Sequence, residues 1–166
     1  MKRILALAIA AMLLLSGCGG KTDKGGDTQK TEKNTAAGIT LKGATLTIGG
    51  ELTDGMMDKL GEPNEQTASP NCVYDGAVYD YIYDGFSLQV NQQENKNTLL
   101  MVTITDPAYA TDKGVRVGDT TDEVKEAYGD ATEDSKYYLV YAADGYELTF
   151  NLTEGFVEEI VYATVE

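Results

Sequence analysis

The sequence predicts an α+β domain: a tandem repeat of a short helix plus a three-stranded antiparallel meander, forming one continuous sheet with helices on one face. Three observations carry this prediction. Gly50-Glu51-Leu52-Thr53-Asp54-Gly55-Met56-Met57-Asp58-Lys59-Leu60-Gly61 aligns without a gap on Gly118-Asp119-Thr120-Thr121-Asp122-Glu123-Val124-Lys125-Glu126-Ala127-Tyr128-Gly129, as an internal repeat would. Asp84-Gly85-Phe86-Ser87-Leu88-Gln89-Val90 falls on Asp144-Gly145-Tyr146-Glu147-Leu148-Thr149-Phe150. Around both Asp-Gly pairs, apolar and polar residues alternate with the period of a half-buried strand.

The chain opens MKRILALAIAAMLLLSGC. Charge at Lys2 and Arg3, an apolar run from Ile4 to Leu15 and a small-residue exit form a secretory signal layout, and the run is too short for a spanning helix. Leu15-Ser16-Gly17-Cys18 resembles a bacterial lipobox, which implies a diacylglyceryl thioether on Cys18 and cleavage before it. Residues 1–17 are then a lipoprotein signal peptide. Two or three acyl chains at about 0.8 kcal/mol per buried methylene would anchor the protein in membrane lipid through Cys18. The expected location is the cell membrane, lipid-anchored (palmitate among the acyl chains) on its extracytoplasmic face.

Residues 18–40 comprise the lipidated Cys and a stretch rich in Gly, Thr, Lys and Asp without apolar periodicity. Such a stretch cannot offset its chain entropy by burial, so a disordered tether is expected. Gly20-Lys21-Thr22 imitates the end of a phosphate loop, but Leu15 stands where the first glycine is required. From Leu41 onward, 24 acidic side chains face seven basic ones, a net charge of −17. That excess disfavours nucleic acid as a partner.

Residues 41–107 form repeat 1 and residues 108–166 form repeat 2, the two making one domain. Each helix is expected after a short β-like segment, Ala44 to Ile48 and Gly114 to Val117. In the second, Thr120 caps the helix, Glu123 reaches back to the cap amide, Val124, Ala127 and Tyr128 share a face, and Gly129 ends it. In the first, Leu52, Met56 and Leu60 share a face, Gly61 and Pro63 end the helix, and Gly55 replaces the capping glutamate, which costs on the order of 1 kcal/mol.

Three strand-like runs come after each helix: Cys72 to Asp84 with Asp75-Gly76 as a candidate break, Phe86 to Asn91 and Thr98 to Thr105, then Lys136 to Ala143, Tyr146 to Leu152 and Phe156 to Thr164. With Asp84-Gly85 as the turn, Tyr83 faces Phe86, Tyr81 faces Leu88 and Tyr79 faces Val90, so the tyrosines lie on the apolar, inward side. Leu139, Tyr141, Ala143, Tyr146, Leu148 and Phe150 form the matching side of the second hairpin. The reverse face is the candidate binding surface, with Val78, Asp80, Ile82, Gln89, Tyr138, Val140, Glu147 and Thr149.

Catalytic chemistry is sparse. There is no histidine, hence neither the commonest general base nor the commonest metal ligand. No serine has a nucleophile-elbow context. Asp75, Asp80 and Asp84, and Asp130, Glu133 and Asp134, are oxygen-rich but lack the spacing of a calcium loop. Cys72 has no partner once Cys18 is lipidated, and a buried, inert thiol is expected. No cofactor, no catalytic residue and no metal site are expected.

Ile48-Gly49-Gly50, Leu60-Gly61-Glu62-Pro63, Ser69-Pro70-Asn71-Cys72, Gly76, Tyr81, Tyr83 and Gly85-Phe86, with Gly114-Val115-Arg116-Val117-Gly118 and Val124 to Tyr128-Gly129 further on, resemble uncharacterised lipoproteins of Gram-positive anaerobes. More distantly, the plan is similar to SmpA/OmlA (BamE) outer-membrane assembly lipoproteins and to the β-lactamase inhibitor protein. The inhibitor's exposed sheet face grips an enzyme, so the resemblance implies a protein-binding role; with the sparse catalytic chemistry, the expectation is a non-enzymatic module that binds another protein, envelope or secreted, or an envelope component. A small-ligand or cation-binding lipoprotein is the alternative, with a carboxylate-based hydrolase behind it.

Overall fold

A computed structural model describes residues 38–165 of the chain. The first elements are β1 (Gly38–Leu41) and β2 (Ala44–Thr47), which pair as a hairpin. Next come α1 (Asp54–Leu60), β3 (Glu65–Ser69), β4 (Ala77–Tyr83), β5 (Phe86–Gln93) and β6 (Lys96–Ile104). The rest are α2 (Thr121–Tyr128), β7 (Glu133–Asp134), β8 (Tyr138–Ala142), β9 (Tyr146–Thr153) and β10 (Phe156–Thr164). Strands β3 to β10 form one eight-stranded sheet in the order β3-β4-β5-β6-β10-β9-β8-β7, antiparallel at every pairing.

This overturns the α+β prediction of a helix-plus-three-stranded-meander repeat roofed by helices. Of the described residues, 51% are strand and 12% helix. The two helices have seven and eight residues, about 11 Å of axis each, against a sheet about 34 Å wide at about 4.8 Å per strand. They are too short to form a layer. The remaining cover comes from the β1–β2 hairpin, whose Ile39, Leu41, Ala44 and Leu46 are all buried in the main core. Ile39 belongs to the stretch read as tether, so the ordered domain reaches back to Gly38.

Each half also contains a strand that apolar alternation does not reveal. β3 and β7 are the sheet edges, and their side chains are almost all exposed. Only backbone pairing with β4 and β8 identifies them. Cys72 to Gly76 is not strand: β4 begins at Ala77, and Cys72 is exposed rather than buried.

The tyrosine stripe does face inward. Tyr83 pairs with Phe86, Tyr81 with Leu88 and Tyr79 with Val90. Tyr81, Tyr83, Phe86, Leu88 and Val90 are buried, and Tyr79 packs against them. Leu139, Leu148 and Phe150 occupy the same side of the second hairpin. Tyr81 satisfies its hydroxyl at the rim, accepting from Gln92 Nε2 at 2.5 Å and Gln66 Nε2 at 3.2 Å. The Tyr83 ring stacks on Phe86 at 4.6 Å between centroids, but its buried hydroxyl has no partner among the described residues. Burial pushes the Tyr83 phenol up, with Tyr81 and Glu62 adding to the shift.

The helices differ at their starts as their residues dictate. On α2, the Glu123 amide donates to Thr120 Oγ1 at 3.3 Å and the Thr120 amide donates to Glu123 Oε2 at 2.8 Å. The backbone bond from Thr120, then its hydroxyl, holds the Glu123 carboxyl below the usual carboxylate range. On α1, Thr53 is the cap and makes no side-chain cap bond. With Thr53 at the cap, Met56 rather than Gly55 takes the third helical position.

Burial and capping set the outcomes of four substitutions, all read by urea denaturation. Phe150→Ala should cost about 3–5 kcal/mol, because Phe150 is fully buried and leaves a cavity. Tyr83→Phe should be neutral or stabilising by up to about 1 kcal/mol, since it removes an unsatisfied buried hydroxyl. Thr120→Ala should cost about 1 kcal/mol and Thr53→Ala far less. Because the folded pKa of Glu123 is lowered, its contribution is present above the normal carboxylate range and fades as pH falls through the folded value. The Thr120→Ala penalty should therefore shrink in acid.

Candidate functional site

Among the described residues, no helix or strand packs over the face opposite the core. Two rows cross it at right angles to the strands. One runs Glu65, Ile82, Ser87, Thr103, Val161, Thr149, Val140, Glu133. The other runs Thr67, Asp80, Gln89, Met101, Ala163, Glu147, Ala142. At the centre, Met101, Thr103, Val161 and Ala163 are half-exposed. Both helices and the β1–β2 hairpin join the core on the other side, and among the described residues no element crosses these rows. Every charge on the rows is a carboxylate, from Glu65, Asp80, Glu133 and Glu147.

The structure places the eight predicted residues in two groups of four. Val78, Asp80, Ile82 and Gln89 lie on β4 and β5, and Tyr138, Val140, Glu147 and Thr149 on β8 and β9. Strands β6 and β10 separate the groups, so the middle of the face was missed. Its signal was present in the alternation of Met101, Thr103, Val161 and Ala163 against Val102, Ile104, Ile160 and Tyr162. Ile82 and Tyr138 are exposed at 38% and 37%. Gln89 Nε2 donates to Asp80 Oδ1 at 3.0 Å, tying two of the predicted polar groups together across the strands.

Val78 and Val140 are buried, at 4% and 7% exposure, and cannot serve as exposed contacts. Val78 follows directly on a tightly bonded loop. Asn71 organises the loop of residues 70–76: its Nδ2 donates to the Tyr74 and Gly76 carbonyls, and its Oδ1 accepts from the Val73 and Tyr74 amides. The loop is clasped to the end of β5, where Gln93 Nε2 donates to the Asp75 carbonyl at 3.0 Å. At Gly76, φ is +97° and a Cβ would meet the Gln92 carbonyl oxygen at 2.4 Å, so only glycine fits. Tyr74 reaches Thr164 of β10, hydroxyl to hydroxyl at 3.5 Å. Val78, Asn91 and Leu100 are all buried yet outside the main core, which makes this end of the sheet a small second core.

The open face offers hydroxyls, amides and carboxylates around central methyl groups. Its polarity is mixed, as on many protein surfaces, including those that bind other proteins. Among the described residues, no three carboxylates converge to hold a metal ion, and no helix is long and apolar enough to cross a membrane. Cys18 lies outside the described residues.

No protein-family model matches the chain, and no curated protein matches it. Among solved structures, it is similar to the crystal structure of a DUF4309 family protein (YjgB) from Bacillus subtilis. The identity is 15% and the TM-score 0.49, over 77% of this chain and 88% of that one. At that distance nothing about activity or partners transfers.

Asn71→Ala should release the loop, speeding hydrogen exchange at the Val73 and Tyr74 amides about tenfold or more. Asn71→Asp keeps both acceptor bonds and should preserve most of that protection.

Proposed function

We propose that this protein is a membrane-anchored extracytoplasmic lipoprotein whose open sheet face binds another protein of the envelope or its surroundings, without catalysing a reaction. The observation that supports this most is the pair of rows, on which every residue but Val140 is at least partly exposed. One crosses all eight strands of the sheet and the other the seven from β3 to β8, with no charge at Met101, Thr103, Val161 or Ala163 and carboxylates on either side. A centre free of charge inside a polar rim is the composition of a docking patch. The net charge of −17 from Leu41 onward favours a basic partner surface and speeds its approach. The lipobox supplies the anchoring half of the reading, and the resemblance to the β-lactamase inhibitor protein agrees with the binding half.

A photocrosslinking side chain at Thr103 tests the binding half in intact cells. It should capture a discrete protein adduct that the same group at Glu126, exposed on α2, does not. Equal labelling from both positions would contradict it. Cys18→Ala tests the anchor: the variant should leave the membrane fraction with unchanged thermal stability, and continued membrane retention would contradict lipidation.

A further inference from the structure

The two halves close their hairpin ends differently. In the first half, Gly85 is covered: a Cβ there would lie 2.4 Å from Asp106 Cβ. The Thr105 amide donates to the Gly85 carbonyl at 2.9 Å, and Tyr109 packs edge-on against Phe86 at 5.1 Å between centroids. Residues 105–109 thus seal that end. In the second half, an added Cβ at Gly145 would meet nothing within 4 Å. Tyr146, the counterpart of Phe86, has no such cover among the described residues and is only half-buried.

A cavity of about 170 Å³ remains there, with Tyr128, Tyr141, Tyr146 and Leu148 in its lining and Asp112 and Lys113 at its charged side. The aromatic wall is built, not incidental. Tyr128 and Tyr141 lie 5.2 Å apart by centroid, and Tyr128 OH donates to Asp112 Oδ1 at 2.8 Å. Tyr141 OH donates to the Gly129 carbonyl at 3.1 Å, fixing the ring to the end of α2. An ammonium already uses this wall: Lys113 Nζ stands 4.4 Å above the Tyr128 ring. The first half does the same where it is sealed, with Lys42 Nζ 5.1 Å from the Tyr83 centroid.

We propose that this tyrosine-lined cavity binds a small organic ammonium, for which Lys113 is the internal competitor. Tyrosine faces attract a cation with an apolar skirt, and Asp112 supplies the countercharge. Leu148 and the rings make a poor bed for a hydrated metal ion, and the carboxylate and the domain's charge repel anions. The volume is below the roughly 300 Å³ of drug-sized pockets, which matches a headgroup rather than a large ligand. Burial first, and Asp112 after it, push the Tyr146 phenol up, so this ring stays neutral at physiological pH.

The test is an NMR titration of tyrosine ring resonances in the full-length protein with choline. Its neutral isostere 3,3-dimethylbutan-1-ol serves as the comparison. Choline should shift Tyr128, Tyr141 and Tyr146 saturably, and the isostere should bind about tenfold or more weakly. Lys113→Ala should tighten choline binding several-fold. Asp112→Asn and Tyr141→Ala should each weaken it about tenfold, and Tyr141→Phe, which keeps the ring, should retain it. Equal binding of the isostere, no saturable shift in either wild type or Lys113→Ala, or an unchanged affinity in Asp112→Asn would each overturn the proposal. Photocrosslinking from Thr103 reports on the opposite face, so either reading can fail without the other.

Discussion

The pairing of β6 with β10 is the constraint on which the rest of the structure depends. Thr103 lies opposite Val161 and Val102 opposite Tyr162, joining two four-stranded meanders through their last strands. Unjoined, each meander would present a long apolar inner strand as an edge, a template for unwanted pairing. Joined, they leave β3 and β7 as the edges of the eight-stranded sheet, both short and polar. The same register settles the faces everywhere, because side chains alternate along each strand. Val102, Ile160 and Tyr162 go to the core, and Met101, Thr103, Val161 and Ala163 go to the open side.

One buried face must then be covered, and two short helices cannot cover it. The β1–β2 hairpin, Leu52, Leu60, Val115 and Val124 complete the roof. Large tyrosine rings suit such an uneven roof, since each buries much area while its hydroxyl reaches a rim. Tyr81 finds two glutamines, Tyr128 finds Asp112 and Tyr141 finds a helix-end carbonyl. Tyr83 alone among these finds nothing. The roof ends short over Tyr146, and the cavity beside it is the direct result.

The parts of this structure legible in the sequence are those set by local chemistry. Period-two alternation around Asp84-Gly85 and Asp144-Gly145 gave the hairpins their register, and Thr120 with Glu123 announced the α2 cap. The illegible parts rest on nonlocal or backbone contacts. β3 and β7 are strands only because β4 and β8 offer them hydrogen bonds. Ile39 and Leu41 look like two apolar residues ending a polar tract until the hairpin inserts them into the core. Val78 reads as an exposed position by its strand parity, yet it is buried. The candidate face was half legible for the same reason: its outer groups sit in hairpins, whereas its centre exists only once β6 meets β10.

The central claim is that one face of this sheet is packed and the other is free, and methyl NMR with a soluble paramagnetic relaxation agent measures it most directly. The structure predicts strong broadening at Ile82, Met101, Thr103 and Val161, with Leu88, Val102, Leu148 and Ile160 protected. Protection of both sets would mean that the open face is in fact covered, and broadening of the second set would mean that the tyrosine side is not the core. Either result would contradict the account.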